Sequence, residues 1–221
     1  FNIPQVITLS LSLAISTTTP PSIQQPQAIV TNFNNYDRRR KGKKTKKNEM
    51  DITDIRHQLI YRDTAPHRAI STIRFIVVHH DAVSAPTDYD PLALYKREAE
   101  GHYNKDWDGD GKADGSGLMY HYKIDRKGNI YFCRNLDEAL WHCGNYTKNL
   151  QSIAICLDGH LTNQLPTKSQ LSSLKEFLIG LCTQHPEFPA DFDDVFGHRE
   201  ISATNCPGDN LIKFVQDFRN K

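Results

Sequence analysis

Two histidines close a run of strand-forming residues, Phe75-Ile-Val-Val-His-His-Asp81. A third sits far downstream in Gly197-His-Arg-Glu-Ile-Ser-Ala-Thr-Asn-Cys-Pro-Gly208. One histidine of the first stretch, with His198 and Cys206 of the second, makes a three-donor set for zinc. Imidazole nitrogen and thiolate sulfur suit Zn²⁺ and do not suit Ca²⁺ or Mg²⁺. Three protein ligands leave a fourth position open, as a catalytic zinc requires. Along a strand His79 and His80 point to opposite faces, so only one of them can join the set. Each half is weak by itself, because a histidine at a strand end is usually satisfied by hydrogen bonds and His-x₇-Cys is no zinc-finger spacing.

A second cluster is acidic. Asp106, Asp108, Asp110 and Asp114 occupy positions 1, 3, 5 and 9 of a calcium-loop register, with Gly111 at the sixth position where such loops turn sharply. The twelfth position is Gly117 in place of the bidentate glutamate. Two readings stand: a modest Ca²⁺ site on these four aspartates, or a solvated acidic turn.

The chain that must position these residues has 221 amino acids and a net charge of +1, which excludes a global preference for nucleic acid. Five cysteines form no paired framework. Residues 1–36 carry no charge. Within them, Val6 to Ile15 alternates apolar residues with Ser and Thr, as a signal segment or a strand donated to another chain would, and is too short and polar to span a bilayer. A Thr/Pro/Gln-rich linker follows, then the basic run 38–47 (Arg38 to Lys47), either a solvated stretch or an arm for an acidic surface. The expected division is an extended tail over 1–49, with some docking partner, and a catalytic domain over 50–221. Within that domain, Ile73–Val78 and Ser152–Leu157 read as buried strands, and Leu118–Ile124 and Asn129–Cys133 as a hairpin about Asp125-Arg-Lys-Gly128. Asp90-Pro91 starts a helix running to about Glu100. Thr167 and Gln170 form a capping box ahead of a helix that buries Leu171, Leu174, Phe177, Leu178 and Leu181. A last helix follows Asp209, with Leu211, Ile212, Val215 and Phe218 inward. Strands interleaved with helices make an α/β domain.

Val78-His79-His80, Tyr120-His121-Tyr122, Trp141-His142-Cys-Gly144, Ser152-Ile-Ala-Ile-Cys-Leu157 and Gly197-His-Arg…Cys-Pro-Gly208 together resemble the type 2 N-acetylmuramoyl-L-alanine amidases, which include amidase-type phage lysozymes and peptidoglycan recognition proteins. The resemblance covers about Ile73 to Phe218. It implies a central mixed β-sheet flanked by helices, with a zinc groove on one face, and hydrolysis of the amide between N-acetylmuramic acid and L-alanine in peptidoglycan. It assigns His79, His198 and Cys206 to zinc, Tyr120 to the catalytic phenol and Thr204 to holding the oxyanion. His142 corresponds to a groove residue touching the muropeptide; His80 is either a further substrate-binding residue or packing. Cys156 stands where some members carry a catalytic glutamate. The resemblance implies action on the cell wall, outside the cytoplasm. Two rivals remain: a non-catalytic peptidoglycan-binding module, and an anchored component of a phage or secretion assembly.

Overall fold

Phe-Ile-Val-Val at 75–78 and the apolar run Ile-Ala-Ile-Cys-Leu at 153–157 become neighbouring strands in the middle of one six-stranded sheet, each with a strand on either side. The computed structural model describes residues 50–184 and 189–220; the expected tail, linker and basic run at 1–49 lie outside the described residues. In chain order the strands are β1 (Ile52–Asp54), β2 (Phe75–His80), β3 (Tyr122–Ile124), β4 (Ile130–Phe132), β5 (Ser152–Leu157) and β6 (Val195–Gly197). They lie side by side as β1-β4-β3-β5-β2-β6. Only β3 and β4 run antiparallel, joined by the turn at Asp125–Gly128; the other pairs are parallel, so the sheet is mixed as expected.

Among the described residues four α-helices flank it: α1 (Pro91–Tyr103), α2 (Tyr146–Leu150), α3 (Lys168–Gln184) and α4 (Asp209–Arg219). Strand alternation sorts side chains between two faces. Ile76, Val78, Tyr122, Ile124, Ile153, Ile155 and Leu157 pack with Leu174, Phe177, Leu178 and Leu181 of α3 and Leu211, Val215 and Phe218 of α4. Their alternate neighbours, His79, Lys123, Ala154 and Cys156, therefore face the opposite side. That face is covered in part by α1, whose Leu94, Tyr95 and Ala99 pack with Leu118 and Cys133.

Several boundaries differ from the sequence reading. β2 carries its pairing through both histidines, because His79 and His80 lie opposite Cys156 and Leu157 of β5. β3 begins only at Tyr122, so Tyr120 precedes the strand. Helix α1 runs one turn past Glu100. Leu171 and Ile212 are only half-buried, Leu171 packed against the core and Ile212 against Gly197 of β6. The helix starts agree: Asp90 accepts from the Leu92 and Ala93 amides at 3.0 and 3.2 Å, with Pro91 in the first position. Thr167 Oγ1 accepts from the Gln170 amide at 3.0 Å while Gln170 Oε1 accepts from the Thr167 amide at 3.1 Å.

Gln170 is fully buried and also donates to the Ile124 and Asp158 carbonyls. Thr167→Ala is expected to lower unfolding free energy by about 1 kcal/mol, the worth of one cap. Gln170→Ala is expected to cost about 2 kcal/mol or more, because the Asp158 carbonyl loses its donor, the Ile124 carbonyl is left with the Asp158 amide alone, and the Thr167 amide loses its acceptor. Urea melts with unchanged slope and the smaller loss in Gln170→Ala would contradict this assignment.

Candidate metal and catalytic site

The end of β2 brings His79 to the loop that follows β6. Donor atoms of His79, His198 and Cys206 all lie within 4.8 Å of one another. His79 Nδ1 is 3.6 Å from Cys206 Sγ, and the His79 and His198 rings are 4.6 Å apart. The loop 198–206 is closed on itself by the Arg199 amide donating to the Cys206 carbonyl at 2.8 Å. At Gly197 the chain runs close to its neighbours: a β-carbon would stand 2.3 Å from the movable Ile212 Cδ1 and 3.1 Å from the Pro207 ring. Gly208, at φ +91°, lets the chain pass within contact of the Leu161 backbone. Burial pushes the Cys206 thiol up to about 12, and burial also lowers His198. Three neutral donors converging where buried His79 meets half-buried His198 and Cys206 fit a thiophilic divalent cation, which would favour the thiolate that burial disfavours.

A chain of hydrogen bonds fixes the state of His79. Ser152 Oγ donates to the Lys148 carbonyl at 2.6 Å, which leaves the oxygen to accept from His142 Nε2 at 3.0 Å. His142 Nδ1 then carries no proton and accepts from His79 Nε2, also at 3.0 Å. His79 Nδ1 is left as a bare lone pair facing Cys206. Both rings stay neutral: burial, with neighbouring histidines, holds His79 well below its ordinary value and His142 at about 3. This is the kind of outer hydrogen bonding that orients a ligand imidazole.

Tyr120 leans on His79, ring to ring at 5.3 Å. Burial pushes its phenol well above the usual range, so it keeps its proton. Its hydroxyl makes no hydrogen bond among the described residues. Beneath it is Lys123, wholly buried, with Nζ 2.9–3.0 Å from Asp81, Glu98 and Asp158 and 3.7 Å from Cys156 Sγ. Burial works against the ammonium, and Asp158 foremost among the surrounding acids more than offsets it. Burial raises Glu98 and Asp158, whereas Lys123 and the Val83 and Gly159 amides outweigh burial at Asp81 and hold it low.

A sequence model of the family described as N-acetylmuramoyl-L-alanine amidase matches residues 69–209 of the chain. The chain belongs to that family. Human N-acetylmuramoyl-L-alanine amidase is 28% identical over 149 residues, which cover 65% of this chain and 24% of the human protein. The chain thus spans about a quarter of that relative's length. Mouse peptidoglycan recognition protein 1 is 26% identical over 148 residues, 67% of this chain and 76% of the mouse protein. Among solved structures, Drosophila peptidoglycan recognition protein SD superposes with a TM-score of 0.63 at 23% identity, covering 76% of this chain and 94% of that one. An endolysin amidase of Clostridium intestinale gives 0.56 at 22%, covering 77% and 95%. At such identities these two structures speak for the fold alone.

Other residues of this amidase-family domain sit differently from expectation. His142 and His80, expected against the substrate, are 6% and 7% exposed. His142 is spent on the bond to His79. His80 turns to the α3/α4 side, where Nδ1 accepts from the Leu161 amide at 2.9 Å. Thr204 Oγ1 accepts from the Cys206 amide at 3.2 Å, steadying the thiol's backbone. In the acidic loop, Asp106, Asp108 and Asp110 bring oxygens within 4.8 Å of one another. Asp114 does not join them; its Oδ1 accepts from the Trp107 amide at 2.9 Å. Asp106 also accepts from the Gly109 and Gly111 amides, which lowers its carboxyl. All five cysteines are free. Sequence reasoning missed Lys123 and the Ser152–His142 chain. The available signal for Lys123 was a lysine between two apolar strand residues, Tyr122 and Ile124.

His80 gives a pH test. Burial, then His160, lowers it from an ordinary 6.5 to about 4. Between those values the unfolded chain binds the proton that the folded chain refuses, so stability falls as pH drops from about 6.5 to about 4. Chelator-treated protein is expected to lose melting temperature over that window. His80→Asn, whose amide oxygen can accept from Leu161, should show a shallower loss; parallel curves would leave His80 no part in it.

Proposed function

We propose that residues 50–221 are a zinc-dependent N-acetylmuramoyl-L-alanine amidase domain, which cuts the amide joining muramic acid to L-alanine in cell-wall peptidoglycan. The observation that carries the reading is the convergence of His79, His198 and Cys206 beside Tyr120, within a chain of this family. His79 Nδ1, His198 and Cys206 Sγ would hold the ion. Zinc in a three-ligand site supplies Lewis-acid polarisation and eases deprotonation of water.

The protein's own groups do the rest. The protonated Tyr120 hydroxyl, free of internal partners, donates to the oxygen that gains charge as the amide carbonyl is attacked. Thr204, two residues before Cys206, adds a neutral hydroxyl beside it. Cys156 brings no base: burial pushes its thiol well above the usual range. Tyr120, which keeps its proton, serves as a hydrogen-bond donor and takes no proton from the attacking water. The fit of the donor set, including a third ligand of thiolate type, favours hydrolysis over a binding module that holds peptidoglycan uncut. An extracytoplasmic or wall-facing place of action follows from that substrate.

Incubation with purified peptidoglycan is expected to release new L-alanine amino termini, read by mass spectrometry. Sedimentation with the wall and no new termini would favour the binding module. Tyr120→Phe is expected to lower turnover by about 10²-fold with zinc retained. Cys206→Ser should lose both zinc and activity, and Ser152→Ala should weaken zinc binding by about tenfold.

The acidic loop is proposed as a calcium-steadied wall, supported by its register, the left-handed Gly111 at φ +86° and the convergence of Asp106, Asp108 and Asp110. Millimolar calcium is expected to raise the melting temperature by mass action, and Asp108→Ala with Asp110→Ala to abolish the rise. Superimposed melts in EGTA and in calcium would return the loop to a solvated turn.

A further inference from the structure

Trp141 and Tyr146 are 43% and 56% exposed, yet their rings stack on each other at 5.5 Å and 26°. Neither ring is packed into the core, so the pair keeps a broad aromatic surface in water. The turn that carries them is held stiffly. The Asn145 side chain caps α2 by accepting from the Lys148 amide at 3.1 Å. Asn149 Oδ1 accepts from the Cys143 amide at 3.1 Å, and Gly144 takes the left-handed conformation at φ +62°.

The same turn is continuous with the candidate site. His142, next to Trp141, bonds His79. The Cys143 carbonyl accepts from Ser202 Oγ, on the loop that carries His198 and Cys206. Resting on the amidase reading above, we propose that Trp141 and Tyr146 form a platform for the glycan strand of the substrate, taking the apolar C–H face of an N-acetylhexosamine ring. The match is chemical. A pyranose presents axial hydrogens of slight positive charge, and an aromatic face is negative. Two rings already stacked and fixed lose little conformational freedom on binding. A glycan strand is uncharged along its sugars, and an aromatic pair asks for no countercharge.

The chain has two tryptophans, so Trp107→Phe leaves Trp141 as the sole indole reporter. In that background, titration with the β-1,4-linked tetramer of N-acetylglucosamine is expected to give a saturable fluorescence change. Adding Tyr146→Ala, which spares the reporter, should abolish it, and Tyr146→Phe should keep it. On glycan strands bearing stem peptides, Trp141→Ala is expected to lower kcat/KM about 3- to 10-fold more than on a muramoyl dipeptide with no neighbouring sugar. Melting temperatures of the variants check that folding is intact. No saturable change, or equal losses on both substrates, would overturn the platform. If the parent protein cuts neither substrate while the tetramer binds and Tyr146→Ala abolishes binding, the amidase reading fails and the platform stands.

Discussion

The 3.0 Å hydrogen bond between His79 Nε2 and His142 Nδ1 joins a central strand to the turn ahead of α2. Its direction is dictated from outside. The Lys148 carbonyl can only accept, so Ser152 donates to it, and each later proton position follows in sequence. Which nitrogen of His79 is left without a proton is thereby decided by a backbone carbonyl at the end of a chain of side chains. Parallel pairing of β2 with β5 makes this feasible, because Phe75 lies opposite Ser152 and His79 opposite Cys156. A one-residue slip would turn every one of these groups to the wrong face.

Electrostatically the reactive side is two regions in contact. Around His79 the groups are neutral: imidazoles held uncharged by burial, a protonated phenol, a protonated thiol. Behind them, Lys123 and three acids form a buried charged knot. The knot fastens the ends of β2 and β5 and the helix α1 through Asp81, Asp158 and Glu98. Asp81 also binds the Val83 and Gly159 amides, and Asp158 accepts from Tyr95 at 2.7 Å and from Tyr89. Paired charges of this kind hold a geometry even where they add little net stability.

Much of this was legible in the sequence where local chemistry decides. The caps at Asp90 and at Thr167/Gln170 are short-range hydrogen bonds between named residue types, and they formed as read. The apolar strands at 75–78 and 152–157 were legible from composition. The convergence of His79, His198 and Cys206 was anticipated from donor chemistry and family resemblance together. What could not be read were consequences of burial on the far face. His142 looked like a groove residue because a histidine beside a tryptophan and a glycine gives no clue to its depth. Tyr120 was assigned to a strand because Leu118–Ile124 is apolar enough, and pairing begins later than composition suggests. Lys123 was silent, since a lysine in a strand reads as an outward residue until three acids from distant segments surround it.

His198 and Cys206 are only eight residues apart, on a loop closed by its own backbone, whereas His79 arrives from a strand far earlier in the chain. Two of three donors are thus within chelating reach before the sheet exists, since closing so short a loop costs little entropy. On the proposed zinc reading, the denatured chain would keep a partial claim on the ion. A metal that also binds the unfolded state stabilises the fold by less than its affinity for the native site. If an ion is held as proposed, the same loop would give it a foothold from which β2 need only add the last imidazole, and metal capture and completion of the sheet would become one linked event.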